Sequence, residues 1–176
     1  MTNLAKLPTW TDDGDIHVVV ETPRGAHAKL KYDPELKVFV LSKSLLLGLA
    51  YPYDWGFIPS TSGDDDDPVD AMVMHDAATT PGLVMRCKII GMLRTLQKQK
   101  GKAIRNDRIF AVPTKSHRGR DLNDVRDLAP ETRTELEKFF VATDELEAKK
   151  LSFLGWAGAK EAHRLVKKSA KRFAKR

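Results

Sequence analysis

The chain has 176 residues, of which 41% are hydrophobic and 31% are charged. This is the ordinary composition of a folded protein, so we predict a single domain over residues 1–176. The longest apolar run, residues 45–53, is interrupted by Gly48 and Pro52. It is far shorter than the roughly 20 apolar residues of a membrane span, so no membrane partner is expected. The single cysteine, Cys87, excludes an intramolecular disulfide and a cysteine-rich zinc site.

The first ten residues contain one lysine and no apolar stretch, so we predict no secretory signal and expect a reducing, cytoplasmic location. The net formal charge of +6 is unevenly distributed. Residues 98–120 hold eight basic residues and one acid, and residues 160–176 hold the same numbers, so the remainder is acidic. Such basic segments can bind nucleic acid, but solvated basic faces are more common.

The middle of the chain is rich in β-branched and aromatic residues and is divided by turn signals. It predicts a small antiparallel barrel or sandwich rather than a doubly wound sheet, because no long helices alternate with the strands. The predicted strands cover residues 16–21, 36–41, 69–75, 83–93 and 108–113.

Two helices are predicted after the strands. Pro130 suits the first turn of a helix, and Leu136, Phe139 and Phe140 recur at helical spacing, so they should face the barrel. A basic amphipathic helix is predicted over about residues 156–174. Strands followed by helices indicate an α+β fold.

The segment from Ser62 to Asp70 reads Ser-Gly-Asp-Asp-Asp-Asp-Pro-Val-Asp. Neighbouring carboxylates raise one another's pKa, and a divalent cation relieves that repulsion. Carboxylates that leave room for several waters suit Mg²⁺. A solvated acidic turn remains an equally ordinary interpretation. The segment lacks the ligand spacing of an EF-hand, and the chain contains no phosphate-binding loop, nucleophile elbow or His-Glu-x-x-His motif.

The acidic segment and its surroundings resemble family I soluble inorganic pyrophosphatases. The similarity rests on Tyr-Pro-Tyr-Asp-Trp-Gly-Phe-Ile at residues 51–58 and on Asp-Asp-Asp-Pro-Val-Asp-Ala at residues 65–71. Further matches are Val-Glu-Thr-Pro at residues 20–23, Lys29, and Ala-Val-Pro at residues 111–113. The similarity covers about residues 14–145.

The resemblance implies a five-stranded barrel related to the OB fold, flanked by helices. It also implies Mg²⁺-dependent hydrolysis of pyrophosphate and a homo-oligomer, commonly a hexamer in bacterial-type members. Asp65 and Asp70 are similar to metal ligands, and Asp67 is similar to the general base. The other residues to which the resemblance gives a role are Glu21, an acidic residue near the site, Tyr51 in its wall, and Lys29, Lys43 and Arg108, which contact phosphate.

Several positions depart from the family pattern. Lys31 stands where a glutamate is common, and Lys43 stands where an arginine is common. Asn106 stands at a metal-binding aspartate, so Asp107 becomes the nearest carboxylate and is included in the predicted metal set. The remaining departures are Trp55, Gln97, Thr143 and Asp144.

Three functions remain open from the sequence. The first is a working Mg²⁺-dependent pyrophosphatase, which we favour because Asp65, Asp67 and Asp70 are all present. The second is a catalytically weakened relative that acts as a binding or assembly partner. The third is an OB-like module that binds nucleic acid, which is not expected because its basic segments lack interleaved aromatic residues.

Overall fold

The computed structural model describes residues 2–99, 101–147 and 149–176. Within these ranges the chain forms nine strands and two α-helices. The strands are β1 (Ile16–Thr22), β2 (Ala28–Asp33), β3 (Val38–Ser44), β4 (Asp54–Ile58), β5 (Val69–Val73), β6 (Val84–Gln99), β7 (Lys102–Arg105), β8 (Arg108–Pro113) and β9 (Lys150–Gly158). The helices are α1 (Pro130–Thr143) and α2 (Ala159–Phe173).

Five strands close into a barrel in the order β1-β4-β5-β8-β6, and β6 pairs with β1 to complete the ring. This confirms the predicted α+β class with an OB-like five-stranded barrel flanked by two helices. The prediction that all barrel strands are antiparallel is wrong, because β5 and β8 run parallel. β7 and β9 extend the sheet by pairing with β6.

One of the strands that we predicted for the barrel does not belong to it. Residues 36–41 fall largely in β3, which pairs only with β2 in a separate two-stranded hairpin. The fifth barrel strand is β4, whose Gly56 lies directly against β1. A Cβ at Gly56 would stand 1.9 Å from the Val19 carbonyl oxygen, so only glycine fits there. The close approach of two backbones thus explains a glycine that interrupts the apolar pattern of this strand.

The barrel strands bury both of their faces, since successive side chains point to opposite sides. One face carries residues such as Ile16, Ala71 and Ile109, which pack with Ala162 and Val166 of α2. The other face packs against α1. The expectation that Leu136, Phe139 and Phe140 face the barrel is confirmed, because all three are buried in a cluster with Trp55 and Phe110.

The second helix begins later than predicted. Ala157 and Gly158 pair with Met92 and Gly91 of β6, so the chain remains extended until α2 starts at Ala159. The predicted basic amphipathic helix is confirmed as α2, and its first residue lies three residues after the approximate start at 156. None of the helices in the described ranges is long and apolar enough to cross a membrane.

Candidate active site

A cleft of about 310 Å³ opens beside the barrel. All five barrel strands, the β2–β3 hairpin, the loop before β5 and the end of α1 contribute to its walls. The structure brings seven of the nine site residues predicted from the sequence into this cleft. They are Glu21, Lys29, Tyr51, Asp65, Asp67, Asp70 and Arg108.

The acidic loop, defined here as residues 63–67, is a tight turn that leads into β5. The Gly63 amide donates to the Asp67 carbonyl at 2.7 Å, and Asp66 adopts a left-handed backbone with φ of 70°. Asp65 and Asp67 line the cleft. Asp70 follows on β5, so one carboxylate stands on a rigid strand and two stand on a constrained turn.

Asp70 places a carboxylate in the cleft. Burial raises its pKa, and the nearby positive charges of Lys29 and Arg108 oppose that rise. None of the described residues donates a hydrogen bond to this carboxylate. Burial also raises the pKa of Asp65 to about 6, and the charges of Asp70 and Asp67 add to the rise.

This donor set fits a hard divalent cation. Neighbouring carboxylates that repel one another are stabilised when a cation lies among them, and oxygen ligands suit Mg²⁺. No three acidic, histidine or cysteine side chains in the described ranges are grouped closely enough to enclose an ion by themselves. A cation bound by Asp65 and Asp70 would therefore complete its coordination with water and substrate oxygens, as Mg²⁺ commonly does.

Glu21 enters the cleft from a β-bulge. Val20 pairs with Gly56 and Thr22 pairs with Trp55, so Glu21 is the extra residue between two successive partners. Bulges commonly redirect a side chain beside an active site. The Glu21 carboxylate accepts a hydrogen bond from the Tyr32 amide at 2.7 Å. Burial nevertheless raises the pKa of Glu21 to about 7, so this group can carry a proton near neutral pH.

A half-buried lysine and a buried arginine face the carboxylates. The Lys29 ammonium lies 5.6 Å from the centre of the Trp55 ring, and the Arg108 guanidinium lies 4.4 Å from the centre of the Phe140 ring. Burial lowers the pKa of both groups, while Asp70 opposes the shift. The Arg108 Nε is buried and has no hydrogen-bond partner among the described residues. Aromatic faces hold both cations while leaving N–H donors for an anion.

Lys43 and Asp107 do not line the cleft. The Lys43 ammonium is bound by Asp144 at 2.7 Å and Glu147 at 2.9 Å, which joins the hairpin to the end of α1. The Asp107 carboxylate accepts hydrogen bonds from the Thr95 amide and from Arg105.

Most of the departures from the family pattern do line the cleft. Gln97 and Asn106 face each other, with the Asn106 amide nitrogen 3.2 Å from the Gln97 carbonyl oxygen. The others are Lys31, Trp55, Thr143 and Asp144.

Sequence reasoning missed Ser42 and Lys149, which also line the cleft. Ser42 is the extra residue of a bulge in β3, where Lys43 pairs with Lys29 and Leu41 pairs with Leu30. Lys149 reaches the cleft just before β9, a strand that was not predicted. No local pattern marks either residue as part of a site.

Comparison with known proteins gives one consistent result. The family model described as inorganic pyrophosphatase matches residues 18–174, which extends the similarity beyond residue 145 and through α2. The inorganic pyrophosphatase of Nostoc sp. is 34% identical over 171 residues, covering 97% of this chain and 99% of that protein.

Solved structures agree with the sequence matches. The crystal structure of the inorganic pyrophosphatase from Thermus thermophilus superimposes with a TM-score of 0.91 at 30% identity, covering 98% of this chain and 99% of that one. The Helicobacter pylori inorganic pyrophosphatase gives a TM-score of 0.85 at 26% identity and covers 96% and 99%. The chain therefore belongs to the inorganic pyrophosphatase family, a family of metal-dependent hydrolases.

Proposed function

We propose that the chain hydrolyses pyrophosphate to two phosphates in this cleft, with Mg²⁺ held by Asp65 and Asp70 and with Asp67 as the general base. The observation that carries the proposal is the arrangement of charge. Asp65, Asp67 and Asp70 share one cleft with Lys29 and Arg108. A polyanionic substrate that binds through divalent cations requires both kinds of group.

Each residue has a distinct part in the reaction. Lys29 and Arg108 bind phosphate oxygens and stabilise the charge that grows on the leaving phosphate. Asp67 accepts a proton from the attacking water. Tyr51 packs edge-on against Phe139, with ring centres 5.1 Å apart, and forms a firm wall for the cleft. Bound Mg²⁺ supplies charge neutralisation and lowers the pKa of water.

Glu21 is proposed as a proton-holding group at the edge of this site. Its raised pKa allows it to donate a hydrogen bond to a phosphate oxygen when protonated and to attract a cation when ionised. Lys43 is assigned an indirect part, because its ammonium binds Asp144, which itself lines the cleft.

The second candidate is a catalytically weakened relative that binds ligand without turnover. Two features favour it. The Lys31 ammonium lies 3.1 Å from Asp67, and Asp144 adds an acidic side chain to the wall of the cleft, where it pairs with Lys43. We favour hydrolysis because Asp67 and Lys31 are both largely exposed, so their ion pair is weak enough to yield to cation and substrate.

Nucleic acid is not proposed as a partner. Several cations of the two basic segments already bind acidic groups of the chain, which leaves less positive charge for an external polyanion. The pairs are Arg105 with Asp107, Arg118 with Asp76, Arg172 with Asp64 and Arg176 with Asp66.

We also propose a homo-oligomer, with a hexamer as the expected size, and a cytoplasmic location. Exposed leucines supply apolar surface that an interface would cover; the most exposed are Leu36, Leu41, Leu47 and Leu146, which are 66% exposed or more. Light scattering coupled to gel filtration measures the assembly, and a monomeric mass at micromolar concentration would contradict it.

Phosphate release from pyrophosphate tests the function. The wild-type protein should release phosphate with Mg²⁺ and should stop in excess chelator. Asp70→Asn should abolish release, while Asp76→Asn, the same substitution outside the cleft, should leave it unchanged. Full turnover in chelator would contradict metal dependence. Mg²⁺ binding without phosphate release would support the weakened relative.

A further inference from the structure

The acidic loop is held from outside the cleft by the last turn of α2 and by the residues that follow it. The Arg172 guanidinium binds the Asp64 carboxylate at 2.7 Å, and Arg176 binds the Asp66 carboxylate. The four consecutive aspartates therefore alternate in function. Asp64 and Asp66 bind arginine, whereas Asp65 and Asp67 line the cleft.

The same two arginines also bind the loop backbone. One Arg172 nitrogen donates to the Gly63 carbonyl at 2.5 Å, and one Arg176 nitrogen donates to the Asp66 carbonyl at 3.3 Å. The Ser62 amide donates to the carbonyl of Ser169 on α2 at 3.1 Å. Because both side chains and backbone are bound, these contacts restrict the conformation of the loop. They also neutralise part of its negative charge.

The helix that provides these contacts is itself firmly anchored. Ala162 and Val166 are completely buried and pack with the residues of the barrel interior. Arg172 lies less than two turns beyond Val166 on the same helix. Through α2, the packing of the barrel core therefore sets the position of the acidic loop.

We infer that Arg172 and Arg176 are positioning residues for metal binding: they turn Asp65 and Asp67 toward the cleft and keep Asp64 and Asp66 from binding cations. This inference rests on the proposed function, because the two arginines can position a metal ligand only if Asp65 binds a cation. The two arginines act through the loop and do not touch substrate.

A positioning role and a purely electrostatic role of the two arginines predict opposite changes in the affinity for Mg²⁺. Removing positive charge near a cation site strengthens cation binding when charge alone matters. Removing a contact that holds the ligands in place weakens binding, because the loop must then be ordered when the cation binds. The direction of the change therefore separates the two explanations.

The test is calorimetric titration of Mg²⁺ into the metal-free protein without substrate. The double variant Arg172→Gln/Arg176→Gln should raise the Kd for Mg²⁺ about fivefold to tenfold, which corresponds to about 1 to 1.4 kcal/mol. The matched control is Lys168→Gln/Lys171→Gln, which also removes two positive charges close to the end of α2. Neither lysine forms an ion pair or hydrogen bond among the described residues. The control should bind Mg²⁺ as tightly as wild type or more tightly.

Two further variants keep the test decisive if the double variant folds poorly. Arg172→Lys retains the charge but cannot bind Asp64 and the Gly63 carbonyl together, so it should show an intermediate Kd. Arg176→Gln alters a largely exposed residue, and circular dichroism should show an unchanged fold. Equal or tighter Mg²⁺ binding by Arg172→Lys and Arg176→Gln overturns the inference.

The outcome also separates this inference from the proposed function. Asp65→Asn must weaken Mg²⁺ binding if Asp65 is a ligand. If Asp65→Asn binds as wild type does, the proposed function and the inference both fail. If Asp65→Asn binds weakly while the arginine variants bind normally, only the inference fails.

Discussion

The Lys31 ammonium lies 3.1 Å from the Asp67 carboxylate, so the proposed base forms an ion pair with a residue of the neighbouring hairpin. Burial lowers the pKa of Lys31, but the hydrogen bond to Asp67 and the negative charges of Asp67, Glu21 and Asp70 together raise it above its ordinary value. A cation that enters the cleft must approach this positive charge. Lys31 therefore competes with metal for the negative charge of the acidic loop.

Replacing Lys31 should reduce the Mg²⁺ requirement. Lys31→Gln removes both the repulsion and the ion pair, so half-maximal hydrolysis should need about twofold to fivefold less Mg²⁺, a modest change because the pair is exposed. Lys31→Glu should lower the requirement further. The measurement is an Mg²⁺ titration of phosphate release, with Lys102→Gln as the control. Superimposable curves would mean that Lys31 does not influence the cation.

Asp67→Asn should reduce activity far more than stability. Asparagine has nearly the same volume but cannot accept a proton from water, and loss of a general base typically lowers the rate about 10² to 10⁴-fold. The decrease should be in kcat, and the melting temperature should change little because the Asp67 side chain is 61% exposed. Asp12→Asn is the exposed control. Activity within a few-fold of wild type would assign the base elsewhere, with Asp65 as the next candidate.

Replacing Asp107 tests whether this carboxylate binds metal or stabilises the fold. Its hydrogen bonds to the Thr95 amide and to Arg105 predict that Asp107→Ala lowers the free energy of unfolding by about 1 to 3 kcal/mol, because a buried donor loses its acceptor. Chemical denaturation of the metal-free protein measures this loss. The resemblance predicts a raised Mg²⁺ requirement instead, and an unchanged requirement in the Mg²⁺ titration would contradict a metal-binding part for Asp107.

Glu21 should make the metal-free protein less stable as the pH rises. Its pKa is 4.5 in the reference state and about 7 in the folded state, so the folded protein binds the proton more tightly. The resulting stabilisation is complete below pH 4.5 and is lost as the pH rises to about 7. Its complete loss corresponds to roughly 3 to 4 kcal/mol.

Glu21→Gln should remove this dependence, because glutamine keeps the acceptor for the Tyr32 amide and carries no charge. Denaturation curves from pH 4 to pH 8 should show the variant to be more stable than wild type only at the upper end. Parallel pH profiles for the two proteins would show that Glu21 is not the responsible group.

The sequence predicted the barrel where local pattern and tertiary position agree. The strand Arg108–Pro113 was predicted at its exact bounds, because its residues are buried on both faces and turn signals flank it. β4 and β2 were missed for different reasons. In β4, Gly56 interrupts the apolar pattern that indicates a strand, although the close contact with the β1 backbone requires a glycine there. In β2, Lys29 and Lys31 make the sequence resemble a polar loop, although both residues line the cleft.

The seven residues that converge on the cleft were predictable through the resemblance to a known family, which matches five of them within short motifs and Lys29 and Arg108 as single positions. The structure places Lys43 outside the cleft wall, where sequence reasoning did not expect it. Its partner Asp144 lies 101 residues away, and no local pattern indicates that contact. The same holds for Arg172, whose contact with Gly63 spans 109 residues. Side chains paired across such separations depend on the finished fold, and one sequence contains no record of them.

The long strand β6 has a consequence for how the molecule unfolds. It forms hydrogen bonds with β1 and β8 in the barrel and with β7 and β9 in the extension. Detaching β6 therefore opens the barrel and its extension together. We expect its amide protons to exchange only through global unfolding, so that barrel, extension and cleft are lost in one cooperative transition.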